Sequence, residues 1–118
     1  MFQEVKDRLA TWIEGDDYDA QIISEIKACE IDLTSSAEII LPGTISITRT
    51  QNQQGVWVVT DTSTLTDDFV IGVIATWCNM NIGNPPNYDN LLKAYNSRKG
   101  QMRQSKKYTA FEPEEAEE

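Results

Sequence analysis

The chain has 118 residues, with 19 Asp or Glu, 10 Lys or Arg, two Cys and no His, and its formal net charge is −9. A chain of this length normally forms one domain with its own core, and the lack of His excludes His-dependent nucleophile pairs, His acid–base chemistry and imidazole metal sites. The acidic balance argues against general DNA binding, because that affinity comes mainly from Lys and Arg side chains that neutralise phosphates.

Two helices are predicted in the first third of the chain. The first is indicated by apolar residues at helical spacing, namely Phe2, Val5, Leu9, Trp12 and Ile13. It should end at Gly15, the usual residue type of a left-handed C-terminal cap. Asp16 and Asp17 then supply the N-cap and first-turn carboxylates of a second helix, which we expect to end before Pro42. The apolar stripe of this second helix consists of Ile22, Ile26, Cys29 and Leu33.

The hydrophobic period changes from helical to alternating after Gly43. Ile45 and Ile47 alternate with Ser and Thr, and a second β-rich run covers residues 56–59 after the turn-prone sequence TQNQQG. The pattern predicts a β-hairpin over residues 44–60 with a polar tip. Because neighbouring strand residues point to opposite faces, Trp57 is either exposed as a contact residue or buried under the first helix.

A third helix is predicted after the hairpin. Its N-cap is Thr64 or Thr66, and Gly83 ends it. Its apolar residues lie on more than one side of the helix, at Val70, Val73, Ile74, Trp77 and Cys78. We therefore expect this helix at the centre of the core. The longest strongly apolar run, residues 69–78, has about ten residues and suits a buried helix rather than a membrane span.

A fourth helix should begin almost at once, with Asn84 as N-cap and Pro85 at the first helical position. Its apolar stripe consists of Tyr88, Leu91, Leu92, Tyr95 and Met102. Gly100 weakens this helix, since Gly costs about 1 kcal/mol relative to Ala in a helix interior. The predicted fold is mainly α, a small bundle of about four helices with one inserted β-hairpin. Residues 1–107 form the single domain, and residues 108–118 form a mobile acidic tail that ends in EPEEAEE.

Six of the ten cations lie between Lys93 and Lys107, without an acid among them. They either contact a partner or complement the dipole of the fourth helix. We expect the segment from Lys99 to Phe111 either to order on binding a partner or to be a frayed C-terminus. The predicted partner-binding residues are Trp57, Arg98, Lys99, Arg103, Lys106, Lys107, Tyr108 and Phe111.

No catalytic, cofactor-binding or metal-binding residue is predicted. The Asp pairs at residues 16–17 and 67–68 are best explained as helix caps, because they lack the alternating spacing of a calcium loop. Cys29 and Cys78 are candidates for a thiol nucleophile or one disulfide, but their apolar helical positions favour buried free thiols in a reduced, intracellular protein.

The sequence IATWCNMNIGNPPNYDNLLKAYNSRKGQM, residues 74–102, combines an apolar helix, a Gly-Asn-Pro break and a helix of the form D…L…AY.S.K.Q. In this order of motifs, and in its opening EVK..L helix, the chain resembles the head-tail connector family of tailed phages and prophages, also described as DNA-packaging or head-completion adaptors. The resemblance covers most of the chain and is most specific between Leu65 and Met102.

The resemblance implies a structural, non-enzymatic role at the head-tail interface of a virion. The subunit would assemble into a ring, expected to be dodecameric, below the portal protein, and would bridge to a stopper or tail-completion protein. DNA would pass through the ring without sequence-specific binding, and no membrane is involved. The alternative from another class is a small acidic module that imitates DNA or masks a basic partner, for which the net charge and the acidic tail are the support.

Overall fold

The computed structural model describes residues 1–10, 13, 15, 17–83 and 85–109. The α-helices in this part of the chain are α1 (Phe2–Lys6), α2 (Asp19–Ile31), α3 (Asp68–Asn81) and α4 (Tyr88–Gln104), and the strands are β1 (Ile47–Gln51) and β2 (Trp57–Asp61). A π-helical turn, Asp32–Ser36, continues α2, and a 3-10 turn, Lys106–Tyr108, follows α4. The predicted class, a small mainly α fold of about four helices with an inserted hairpin, is confirmed.

The first helix is shorter than predicted, because it ends at Lys6 and not at Gly15. The side chain of Asn79, in α3, forms hydrogen bonds with backbone groups that would be paired within a longer first helix. Its Oδ1 accepts from the Ala10 amide at 2.8 Å, and its Nδ2 donates to the Arg8 carbonyl at 3.1 Å. Gly15 does adopt a positive φ of 84°, but it follows no α-helix. Trp12 and Asp16 lie outside the described residues.

The second helix begins later than predicted. Its N-cap is Tyr18, and Asp19 is the acid of its first turn. The Asp19 carboxylate accepts a hydrogen bond from Lys6 Nζ at 2.8 Å, so it ties α2 to α1. The predicted apolar stripe is confirmed, with its members fully buried through Leu33 of the π-helical turn.

The hairpin is antiparallel, with Ile47 opposite Asp61 at its base and Gln51 opposite Trp57 at its tip. The connecting turn is organised by Asn52, whose side-chain oxygen accepts from the amides of Gln54 and Val56, both at 2.9 Å. Ile47 is buried in the core, whereas the residues of the tip are exposed. The predicted hairpin is therefore confirmed, and its polar turn projects into solvent.

α3 lies at the centre of the core, as predicted, and packs against α1, α2 and α4. Its N-cap is Asp67 and not Thr64 or Thr66: the Asp67 carboxylate accepts from the Val70 amide at 3.1 Å. Thr64 lies before this N-cap, and its hydroxyl accepts from the Thr44 amide at 2.8 Å. Gly83, with a φ of 74°, follows the end of the helix as predicted.

α4 starts three residues later than predicted, since Asn87 is its N-cap and Pro85 precedes the helix. Asn84 lies outside the described residues. The helix runs through Gly100 without a break and buries Tyr95 and Met102 against the core.

The chain that follows α4 contradicts the predicted domain boundary. Tyr108 is buried, its carbonyl accepts from the Ile40 amide at 2.8 Å, and Thr109 forms an antiparallel bridge with Ile39. The prediction of a mobile tail starting at residue 108 is therefore wrong for Tyr108 and Thr109, because these backbone contacts and the Tyr ring are part of the domain. The rest of that tail, with Phe111, lies outside the described residues.

Candidate interaction surfaces

The structure divides the predicted basic cluster into two groups. Arg98 donates to the Thr76 hydroxyl of α3 at 2.9 Å, and Lys99 donates to the Asp32 carboxylate at 3.0 Å. Lys99 also stands 5.1 Å from the centre of the Tyr95 ring. These two cations hold α4 against the helices beside it, so their positive charges are explained by contacts within the protein and need no partner protein. Arg103, Lys106 and Lys107 are exposed near the C-terminal end of the fold.

Two of these exposed cations belong to a surface that we call the C-terminal corner, formed by Ile40, Phe69, Lys106, Lys107 and Tyr108. The centres of the Tyr108 and Phe69 rings lie 6.3 Å apart, and the Tyr108 carbonyl accepts a hydrogen bond from the Ile40 amide. Ile40 is 52% exposed and Phe69 37% exposed, so the buried Tyr108 presents an apolar residue on each side. Lys106 and Lys107 directly precede Tyr108, and Lys107 Nζ lies 5.5 Å from the centre of the Tyr108 ring.

Asp67 fixes the corner to the body of the protein. Its Oδ2 accepts from the Tyr108 hydroxyl at 2.7 Å and pairs with Lys107 Nζ at 2.7 Å. Burial alone would raise the pKa of Asp67, but the hydrogen bonds from Lys107, Tyr108 and the Val70 amide outweigh burial and hold this pKa at about 2. Of the predicted segment Lys99–Phe111, residues 99–109 are folded against the body of the protein, and Phe111 lies outside the described residues.

Trp57 is exposed and not buried under α1, which settles the alternative left open by the sequence. Its ring is 52% exposed, and the guanidinium of Arg49 lies 4.2 Å from the ring centre. Val56 and Val58, the neighbours of Trp57, are 57% and 41% exposed. Three consecutive large apolar residues are thus in contact with solvent, with Trp57 on one face of the hairpin and Val56 and Val58 on the other.

These hairpin residues form one wall of an open groove of about 920 Å³, and α1 with the start of α2 forms the other wall. We call this the hairpin groove. Its lining groups balance in charge: the acids are Asp17, Asp19 and Asp61, and the cations are Lys6, Arg49 and the N-terminal ammonium of Met1, which lies 2.8 Å from Asp61 Oδ2. Asp61 accepts from the Phe2 amide at 2.6 Å and Asp19 pairs with Lys6, whereas Asp17 is exposed and has no ion pair with another described residue.

A polar network that the sequence did not predict lies between α2 and α4. The Tyr95 hydroxyl donates to the Asp32 carboxylate at 2.6 Å and lies 3.8 Å from Cys29 Sγ. Burial raises the pKa of Tyr95 and raises that of Cys29 to about 12, so both groups stay protonated at neutral pH. A thiol with so high a pKa is a poor nucleophile, and the network joins helices rather than performing chemistry.

Cys29 and Cys78 are both free and buried, as predicted. Nowhere in the described ranges do three or more Cys, Asp or Glu side chains come together in a way that could hold a metal ion. Among the helices that the structure describes, none is both long enough and apolar enough to cross a lipid bilayer.

Comparisons of the chain with protein-family models, with curated proteins and with solved structures find no match.

Proposed function

We propose that the protein is a structural subunit of a phage head-to-tail connector. In this role, copies of the chain form a closed ring below the portal protein, and the ring bridges to a stopper or tail-completion protein. DNA passes through the ring without sequence-specific binding. The order of motifs between residues 74 and 102 suggests the family, and the physical properties of the fold support the assembly role.

The observation that carries the proposal is the exposed apolar hairpin. A two-stranded hairpin is only marginally stable in water by itself, and Val56, Trp57 and Val58 are all exposed at its tip. A subunit of a permanent assembly would bury such residues against a neighbour, whereas a free monomer would gain from polar residues at the same positions.

The contacts that the carboxylates form within the protein favour the connector function over the acidic inhibitor. A module that imitates DNA needs its acids displayed in rows on the surface. Here several of the described acids accept hydrogen bonds from donors within the chain, among them Asp19, Asp32, Asp61 and Asp67. Their charges stabilise contacts between elements, so the negative charge of the sequence overstates the acidity of any one face.

A deletion experiment tests the proposal. In the phage or prophage that encodes the chain, removing its coding sequence should give heads that package DNA but do not join tails, as seen by electron microscopy of the lysate. Supplying the chain from a plasmid should restore tailed particles. A normal yield of infectious, tailed particles from the deletion strain would contradict the connector function. The inhibitor alternative predicts that result.

A further inference from the structure

We propose that the subunits associate head to tail, with the C-terminal corner of one copy seated in the hairpin groove of the next. This inference rests on the proposed function, because it names the contact through which the ring closes. It assigns the cations of the corner to a second copy of the chain instead of to the portal protein.

The groove offers an exposed aromatic side chain and one acid, Asp17, that has no ion pair among the described residues. Trp57 supplies the exposed aromatic side chain of the hairpin wall, on the same strand face as Arg49 and Val59, whereas Val56 and Val58 point to the other face. Asp17 lies on the opposite wall, exposed and unpaired among the described residues, whereas Asp19 pairs with Lys6 and Asp61 with the Met1 ammonium. A fitting partner therefore carries apolar side chains flanked by cations, since burying Asp17 without an opposite charge would be costly.

The corner offers the complementary surface. Ile40 and Phe69 are its exposed apolar groups, and both are held in place through Tyr108. Lys106 is exposed and forms no ion pair with another described residue, and Lys107 remains 62% exposed although it pairs with Asp67. The same chain thus carries one surface with Trp57 and the unpaired acid Asp17, and a second surface with Ile40, Phe69 and two exposed cations.

Because the two surfaces are made of different residues, their contact is heterologous. A heterologous contact leaves one groove and one corner free after each addition, so the assembly grows until the rotation between subunits closes it into a ring. A contact of like surfaces would instead stop at a dimer and would oppose like charges. Charge complementarity and the need to cover both apolar surfaces select the second copy as the occupant.

The test uses charge reversal on the full-length chain, with self-association followed by sedimentation velocity up to about 1 mM protein at low salt, where ion pairs are least screened. The variants are Asp17→Lys in the groove and Lys106→Glu in the corner. Each alone should weaken association at least about tenfold, because it opposes like charges across the contact. An equal mixture of the two variants should recover association, since the reversed groove of one variant then meets the reversed corner of the other with opposite charge.

Truncation of the apolar groups gives an independent test on the same assay. Trp57→Ala and Ile40→Ala should each weaken association at least about tenfold if they lie in the centre of the contact. The matched controls are Ile31→Ala, which alters an apolar side chain that is 62% exposed outside both surfaces, and Lys93→Glu, which alters an exposed cation of α4. Circular dichroism should show all variants to be folded, because each altered side chain is exposed.

Three results would overturn this inference. The first is a wild-type chain that stays monomeric at about 1 mM, a concentration at which a contact with a Kd of about 1 mM is well populated. The second is a pair of mixed variants that fail to recover association. The third is a set of corner variants that associate normally but lose binding to purified portal protein. The last result would make the portal protein the partner of the C-terminal corner. None of them decides the proposed function, which the deletion strain tests separately.

Discussion

At the scale of single residues, Asp67 joins the start of α3 to the C-terminal corner through one carboxylate. It caps α3 through the Val70 amide and holds the Tyr108 hydroxyl and Lys107 of the corner. Asp67→Ala should lower the free energy of unfolding by about 2–3 kcal/mol, because it removes a helix cap and leaves a buried Tyr hydroxyl unpaired. Urea titration measures this change.

Thr66→Ala is the matched control for that variant. The sequence nominates Thr66 as a cap of α3, but its side chain is exposed and Asp67 is the cap in the structure. Its replacement should change stability by less than about 0.5 kcal/mol. Equal losses in the two variants would show that Asp67 does not hold α3 and the corner together.

The pH dependence of stability follows from the same carboxylate. The pKa of Asp67 falls from an ordinary 3.8 to about 2 in the folded protein, so its stabilising effect is complete above about pH 4 and is lost as the pH falls through 2. The difference in unfolding free energy between the wild type and Asp67→Asn should therefore shrink steadily between about pH 4 and about pH 2. A difference that is constant across this range would contradict the assigned hydrogen bonds.

The two thiols provide a residue-scale test of the core. Cys29 and Cys78 are fully buried, and burial raises the pKa of Cys29 to about 12. Labelling by a thiol reagent at about pH 8 should be slow in the native protein and fast in guanidinium chloride, because only opening of the core exposes the sulfur atoms and lets them ionise. Rapid native labelling of both thiols, or an intact mass two units low, would argue against this core.

At the scale of elements, two glycines in different settings give opposite predictions. Gly100 lies inside α4, and a Cβ placed there meets nothing within 4 Å. Gly100→Ala should stabilise the protein by about 0.5–1 kcal/mol through helix propensity. Gly43→Ala should destabilise it, since its Cβ would stand 2.7 Å from the Leu65 Cα, too close for real atoms. Thermal melts of both variants test the pair, and a loss of stability in Gly100→Ala would show that α4 does not run through residue 100.

Elements with strong local patterns were predictable from sequence. The apolar stripe of α2, the alternation of the hairpin and the apolar faces of α3 all follow from the period of hydrophobic residues. The end of α1 was not predictable from the sequence. Asn79, which is distant in sequence, forms hydrogen bonds with the backbone at the residues where a longer helix would continue. The ordered C-terminal turn was missed for the same reason, since Asp67 and Ile39 hold it through contacts distant in sequence.

The candidate surfaces were predictable only in part. Trp57, Lys106 and Lys107 were identified by residue type and local context, and they lie on the hairpin groove and the C-terminal corner. Arg98 and Lys99 looked like partner-binding cations, but they bind Thr76 and Asp32 inside the molecule. A run of cations in sequence does not reveal which of them turn inward, since that depends on the helix packed beside them.

At the scale of the whole molecule, the fold combines a helical core with an exposed hairpin and an ordered C-terminal corner. Its buried polar groups, such as Tyr95 with Asp32, join helices to each other. Its exposed apolar groups, on the hairpin and the corner, are separate from that network. In the proposed assembly, neighbouring copies would cover these exposed apolar groups, while the internal polar contacts hold each copy together.

The proposed function places the chain in a ring at the portal vertex, and its most direct test is the position of the chain in assembled particles. Cryo-electron microscopy of particles that carry an epitope tag on this chain, decorated with an antibody fragment, should place the label in a ring between the portal and the tail. The same particles without the tag serve as the control. Label on the capsid faces, along the tail, or absent from purified particles would contradict a connector subunit.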